Sequence, residues 1–143
     1  MTASPKRGLR LLRIISGCSL ALFAAAAFAA DAISVKPVQV SEHVWYVQGQ
    51  SGPASAANQG YISNAGFVLT AEGIVVIDAL GTPALGRALL AAIRSISAAP
   101  IRRVIVTHYH SDHFYGLPAF KAAGAEIWAH QRARDYLEGS VAA

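Results

Sequence analysis

Four side chains that can bind a metal ion lie within six residues of the sequence. They are His108, His110, Asp112 and His113, and they follow an apolar run that ends at Val106. Neutral imidazole and carboxylate are the usual protein ligands of zinc, and of iron or manganese at sites richer in oxygen. The spacing would let the first two histidines hold one ion while Asp112 and His113 hold a second. The stretch therefore predicts a metal site rather than a polar surface loop with incidental histidines.

The predicted position of this stretch in the fold supports the metal interpretation. In layered α/β proteins, ligand sites form where the chain leaves the carboxyl end of a strand, and residues 101–106 are predicted to be such a strand. Gly116 would free the backbone where the loop passes into the next helix. A nucleophilic triad is the weaker interpretation, because no serine or cysteine has a turn context of its own. Ser111 is therefore interpreted as a spacer.

The elements that must position the metal stretch are predicted from hydrophobic periodicity and turn signals. The predicted strands are two short ones within 35–48, a pair at 61–62 and 67–70, one covered on both faces at 74–77, and those at 101–106 and 127–128, with a polar loop at 50–59. The predicted helices cover 83–97, 116–123 and 131–137, the first capped by Thr82 ahead of Pro83. A strand meander followed by βαβ units indicates an α/β domain, or an α+β layered domain.

Composition and charge exclude several classes of protein. The hydrophobic share of 54% and the charged share of 14% exclude a highly charged disordered chain. A single cysteine excludes an intrachain disulfide framework and a Cys-rich zinc module. Four of the 12 basic residues precede Asp31 and no acidic residue does, so the remainder carries eight charges of each sign. That neutral remainder predicts that nucleic acid is not a partner.

Residues 1–29 have the three parts of a secretory signal peptide. A basic segment precedes an uncharged apolar run, which ends in the cleavage motif Ala27-Phe28-Ala29. We therefore expect residues 1–29 to be removed and residues 30–143 to form a periplasmic or secreted domain without stable membrane insertion. The alternatives are an uncleaved membrane anchor and a lipoprotein attached through Cys18, the last residue of a lipobox-like segment.

The Thr-His-x-His-x-Asp-His motif at 107–113, placed after an apolar strand, resembles the metallo-β-lactamase superfamily. The resemblance extends from about residue 35 to residue 137 and includes the apolar segments 67–70 and 74–78. It implies an αβ/βα sandwich with two metal ions at one edge of its sheets, of which this chain would be the N-terminal half. The pattern is most similar to secreted glyoxalase II-like and quinoprotein-associated hydrolases.

The resemblance also implies a role for each candidate residue. The implied ligands are His108 and His110 for the first metal, and Asp112 and His113 for the second, with Asp78 and Thr107 supporting them. Asp112 would in addition be catalytic, because it would orient the attacking hydroxide or carry its proton. For Asp78 the alternative is a cap near the following helix.

Family members supply further ligands from their C-terminal half, and here the chain departs from the pattern. After the motif, the further candidates that we identify are His130, Asp135 and Glu138. We interpret His130 as a structural residue at a strand end and His43 as a surface residue. Two protein ligands for each ion predict weak metal binding and little hydrolysis by the 143-residue chain, because a catalytic zinc normally has three ligands and a water.

The function implied by the resemblance is that of a secreted metal-dependent hydrolase. A metal-bound hydroxide would attack the carbonyl of a small-molecule thioester, ester or β-lactam. Zinc, two ions per complete domain, is the expected cofactor, with iron or manganese as alternatives. Two other functions stay open: an incomplete metal-binding fragment or pseudoenzyme without turnover, and an enzyme similar to mononuclear-iron persulfide dioxygenases. The oligomeric state is not predicted.

Overall fold

The computed structural model describes residues 34–133 of the chain. The chain divides into two units, Met1–Ala30 and Asp31–Ala143, and all described residues belong to the second. The predicted signal peptide and Cys18 lie outside the described residues, as does most of the predicted helix at 131–137. Within residues 34–133, no helix has the length and apolar character needed to cross a membrane.

In the described part of the chain, six strands form a single sheet in which each strand pairs with its neighbours in sequence. The strands are β1 (Val38–Ser41), β2 (Val44–Val47), β3 (Ala65–Thr70), β4 (Gly73–Ile77), β5 (Ile101–Val106) and β6 (Glu126–Ala129). The first four strands pair antiparallel, whereas β4, β5 and β6 are parallel. The helices are α1 (Pro83–Ile96), α2 (Ser111–Phe114) and α3 (Leu117–Ala122). This mixed architecture confirms the predicted α/β layered fold class.

One face of the sheet forms the core with α1 and α3. The strand registers place Phe67, Val76 and Val104 in one row on this face, and all three are fully buried. The fully buried residues that the helices contribute are Leu85, Leu89 and Ile93 of α1 and Phe120 of α3. Each such side chain stabilises the fold by about 1.5–3 kcal/mol relative to leaving it in water. The core therefore fixes β4 and β5 against α1, and the candidate site lies at the ends of these two strands.

Helix α1 begins as the sequence predicts. The Thr82 hydroxyl accepts a hydrogen bond from the Leu85 N–H at 3.1 Å, and Pro83 lies in the first turn. The helix ends at Ile96, within one residue of the predicted end. In its last turn, the Arg94 guanidinium donates to the Ala99 carbonyl at 2.6 Å, which ties the helix end to the segment that leads into β5.

The opposite face of the sheet carries an apolar row that stays partly exposed. The registers align Val38, Tyr46, Gly66, Ile77, Ile105 and Trp128 across all six strands. Val38 is 49% exposed and Trp128 is 50% exposed. The prediction that residues 74–77 are covered on both faces is therefore wrong for the described residues. Within residues 34–133, helices cover one face of β4 but not the other, so Ile77 is half-buried whereas Val76 is fully buried.

Two further predictions of local structure are wrong. Residues 61–62 are not a strand but the end of a loop that covers 48–64. The side chain of Asn58 organises this loop, because its Oδ1 accepts from the N–H groups of Ser55 at 2.9 Å and Gly60 at 3.0 Å. Burial raises the pKa of the Tyr61 phenol. The second wrong prediction concerns α2. Its residues form one helical turn, whereas the sequence predicted a loop there.

Candidate metal centre

The candidate ligands lie where the predicted topology puts them, at the carboxyl ends of β4 and β5. These strands are parallel neighbours, so their carboxyl ends lie side by side. Asp78 follows β4 and its N–H donates to the Ile105 carbonyl of β5 at 2.9 Å. The metal stretch follows β5 directly, and its second half forms the single turn of α2. The sequence-predicted site residues are therefore brought together from two strands and one helical turn.

The first candidate pair of ligands is His108 and His110. The distance from His108 Nε2 to His110 Nδ1 is 3.1 Å. Two nitrogens bound at 2.0–2.1 Å to one tetrahedral zinc ion would be about 3.3 Å apart. The separation of these two donor atoms therefore fits ligands of a shared ion, in agreement with the predicted pairing.

The second candidate pair is Asp112 and His113. Asp112 Oδ2 lies 3.5 Å from His113 Nε2, close to the separation of about 3.4 Å expected for an oxygen and a nitrogen on one zinc ion. The ring centroids of His108 and His113 are 4.1 Å apart, so the two pairs adjoin. Both pairs therefore face a common region at the strand ends.

The chemistry of this donor set suits zinc, although each pair supplies only part of a coordination shell. Three imidazoles and one carboxylate match the nitrogen and oxygen donors that zinc prefers. Between residues 34 and 133, no three or more His, Cys, Asp or Glu side chains are grouped so as to hold a single ion. The assignment of these residues as metal ligands accordingly stays a prediction, with two donors for each ion.

Asp78 holds residues of the candidate site in place through hydrogen bonds. Its carboxylate is buried and accepts three hydrogen bonds of 2.8 Å, from the Thr107 N–H, the Thr107 hydroxyl and His113 Nδ1. The alternative role as a helix cap is wrong, because Thr82 caps α1. Donation from Nδ1 leaves His113 Nε2 with its lone pair on the side of Asp112. This is the arrangement that carboxylates impose on histidine ligands of metals.

The same carboxylate also determines the tautomer of His108, through Thr107. The Thr107 hydroxyl lies 2.8 Å from Asp78 Oδ2 and 2.9 Å from His108 Nδ1. A carboxylate can only accept, so the hydroxyl donates its single proton to Asp78 and accepts the proton of His108 Nδ1. His108 Nε2 then carries the lone pair that a metal requires. One buried carboxylate thus prepares a histidine in each pair.

The backbone between β4 and α1 is held in an uncommon conformation. Asp78 and Leu80 have φ values of 61° and 65°, which costs of order 1–3 kcal/mol for each non-glycine residue. Tertiary hydrogen bonds hold the segment in place: the Ala79 N–H donates to the His113 carbonyl at 2.7 Å, and the Gly116 N–H donates to the Leu80 carbonyl at 2.9 Å. These bonds attach the metal stretch to the end of β4.

Gly116 is required for a reason different from the predicted one. Its φ of −78° is open to any residue, so backbone freedom is not the cause. A Cβ at this position would overlap the Ala79 carbonyl oxygen, and a Cβ at Gly86 of α1 would overlap the Gly116 carbonyl oxygen. The two glycines therefore permit close packing between α1 and the end of the metal stretch.

Ser63 is a positioning residue that the sequence analysis missed. It is 5% exposed, and its hydroxyl donates to the backbone carbonyl of Asp112, 49 residues away in sequence. A Cβ at Gly81 would come within 3.0 Å of the Asp112 Cα, so the same backbone is confined from a second side. A serine in a polar loop carries no sequence signal for this contact.

Replacing Ser63 with alanine is expected to lower the free energy of unfolding by about 1–3 kcal/mol, because the Asp112 carbonyl would lose its buried partner. Urea denaturation of the two proteins measures this difference. Ser95→Ala is the matched control, since the Ser95 hydroxyl also donates to a carbonyl, that of Ala92 at 2.7 Å, but on an exposed helix surface. Equal losses for both variants would contradict a specific role for Ser63.

The remaining histidines of interest lie apart from the two pairs in sequence. His43 is exposed and lies 3.8 Å from Glu42, which confirms it as a surface residue. His130 follows β6, where its Nδ1 accepts from the Arg132 N–H at 3.3 Å. Asp135 and Glu138 lie outside the described residues.

Comparison with proteins of known sequence finds a family profile and a curated enzyme that match this chain. The sequence profile of the metallo-beta-lactamase superfamily matches residues 58–140. A linear primary-alkylsulfatase from a Pseudomonas species is 33% identical over 78 residues, which is 49% of this chain and 15% of the alkylsulfatase. This chain thus spans less than a fifth of that curated relative.

The solved structures of similar fold include two metallo-beta-lactamases and an alkyl sulfatase. A metallo-beta-lactamase from Hirschia baltica has a TM-score of 0.60 at 25% identity, and one from Erythrobacter litoralis has 0.59 at 24% identity. Each alignment covers 72% of this chain, and 46% and 44% of those proteins. A double mutant of the sec-alkyl sulfatase PisA1 has a TM-score of 0.56 at 23% identity, over 71% of this chain and 16% of that one. Since the family profile matches more than half of its 143 residues, the chain belongs to the metallo-beta-lactamase superfamily.

Proposed function

We propose that this chain carries zinc ligands of an exported hydrolase that cleaves ester, thioester or β-lactam bonds in small molecules. The observation that carries the proposal is the arrangement around Asp78, which leaves a lone pair on the Nε2 atom of His108 and of His113. An incidental cluster of surface histidines would have no reason to share a buried carboxylate. Membership of a superfamily of metallo-hydrolases supports the reaction class.

Each candidate ligand has a role in the proposed reaction. His108 and His110 would hold one zinc ion, and Asp112 and His113 the other. When bound, zinc would lower the pKa of water toward neutrality and polarise the bond under attack. Asp112 has two carboxylate oxygens. One can bind zinc while the other orients the attacking water and receives its proton. Thioesters, carboxylic esters and β-lactams are candidate substrates, and the name of the alkylsulfatase relative adds sulfate esters.

Zinc titration and hydrolysis assays of the purified protein test the proposal. The purified protein is expected to bind about two zinc ions per chain at saturation, with weak affinity. Its hydrolysis of a thioester, an alkyl sulfate or a β-lactam is expected to be slow and to be lost with chelator. Zinc binding without hydrolysis of any of them would favour a metal-binding fragment instead. Activity that requires one iron per chain would favour a dioxygenase. Export is tested by the intact mass of periplasmic material, which should lack residues 1–29; an intact Met1 or an acylated Cys18 would contradict it.

A further inference from the structure

A small cleft lies beside the candidate metal centre, at the carboxyl ends of β5 and β6. Val106, Ala129 and Ala133 form its aliphatic walls, and His108 of the first candidate pair lies at its edge. Its volume is about 180 Å³, below the roughly 300–1,000 Å³ of a complete small-molecule site. The cleft therefore has the size for one chemical group of a ligand whose remainder lies outside it.

The cleft lining combines a cationic residue with a histidine that can donate a hydrogen bond. Arg132 supplies the positive charge, and none of the described residues that line the cleft is acidic. His130 Nδ1 accepts the Arg132 N–H at 3.3 Å, so in the neutral ring the proton lies on Nε2, which is then a donor as well. A guanidinium group and an imidazole N–H in the lining of one cleft favour an oxyanion, because charge-assisted hydrogen bonds are about twice as strong as neutral ones.

We propose that this cleft binds a negatively charged oxyanion group of the substrate, with Arg132 as the main contact. The inference rests on the proposed hydrolase function and narrows its substrates to esters that carry such a group close to the bond that is cleaved. His108 belongs both to the cleft and to the first candidate pair, so an anion held there lies next to the metal centre. Arg132 then determines which substrates bind and takes no part in bond cleavage.

A titration of the full 143-residue chain with inorganic sulfate tests this site. Backbone amide resonances are followed by NMR at constant ionic strength, in parallel samples with zinc and with chelator. Saturable shifts are expected at Tyr109, His130 and Arg132 in both samples, and neutral dimethyl sulfone should cause none. Arg132→Gln is expected to weaken sulfate binding at least about tenfold, and Arg132→Lys to restore part of it. Arg87→Gln, on the exposed side of α1, is the matched control and should bind as the parent does.

Three results would overturn the proposal. The first is sulfate binding that Arg132→Gln leaves unchanged. The second is binding that appears only with zinc, which would place the anion on the metal, and the third is equal binding of dimethyl sulfone. Because the chelator sample needs neither metal nor turnover, failure here leaves the hydrolase proposal standing, and loss of hydrolysis leaves the anion site standing.

Discussion

Zinc binding by a His110→Ala variant is expected to fall from about two ions per chain to about one. The first candidate pair would then consist of His108 alone, because the described residues bring no third donor to it. The loss of affinity should exceed the roughly 10–100-fold that removal of a supporting residue costs. Any zinc-dependent hydrolysis should disappear with the first ion, since a two-metal site needs both ions to hold and polarise the reacting groups.

Competition with a chromophoric chelator measures the stoichiometry and both affinities. His43→Ala is the matched control, because this histidine is exposed and lies in the turn between β1 and β2. It should bind zinc as the parent chain does. Unchanged stoichiometry in His110→Ala would show that another residue completes the first site, and His130 would be the first to replace.

Asp78→Asn is expected to weaken zinc binding by about 10–100-fold while the chain stays folded. Asparagine keeps the shape of aspartate and tolerates the left-handed backbone at φ 61°. Its amide nitrogen, however, would donate toward His113 Nδ1 or the Thr107 hydroxyl, where the carboxylate accepts now. His113 would then carry its proton on Nε2, the atom that has to bind the metal.

Two measurements separate this effect from simple unfolding. Imidazole nitrogen shifts in NMR report the tautomers of His108 and His113, and both rings should lose their preference for a proton on Nδ1. Circular dichroism should show the fold of the parent. Asp78→Ala should be worse in both respects, because alanine also disfavours a positive φ. If the Asp78→Asn variant had altered tautomers but normal zinc affinity, the prediction that Asp78 supports metal binding would be wrong.

The sequence predicted the part of the site that depends on local pattern. The apolar run of 101–106, followed by histidines and an aspartate, determined both the strand and the position of the ligands, because strand ends recur as ligand sites. Periodicity and the Thr82 cap located α1 within one residue. Asp78 was identified as a supporting residue only through the family resemblance, since a single aspartate after a strand has many uses.

Contacts between residues distant in sequence could not be predicted from hydrophobic periodicity or from motifs. Ser63 reaches Asp112 across 49 residues, and nothing in a polar loop marks the serine that will be buried. The strand predicted at 61–62 failed because two apolar residues also suit a loop that packs against the core. Gly116 was correctly singled out, but its purpose is a close approach to Ala79 that only the tertiary structure reveals.

The sequential strand order has a consequence for how the site forms during folding. Since β1 to β6 pair in the order in which they are synthesised, each strand can join an edge that already exists. Among the first five strands, the antiparallel connections are the turns and the loop at 48–64, whereas the crossover through α1 brings Thr107 back to Asp78 over 29 residues. The entropy cost of closing such a loop grows only slowly with its length. The candidate ligands are therefore expected to come together in that one closure, before β6 completes the sheet, so the rate at which the site forms should follow the docking of α1.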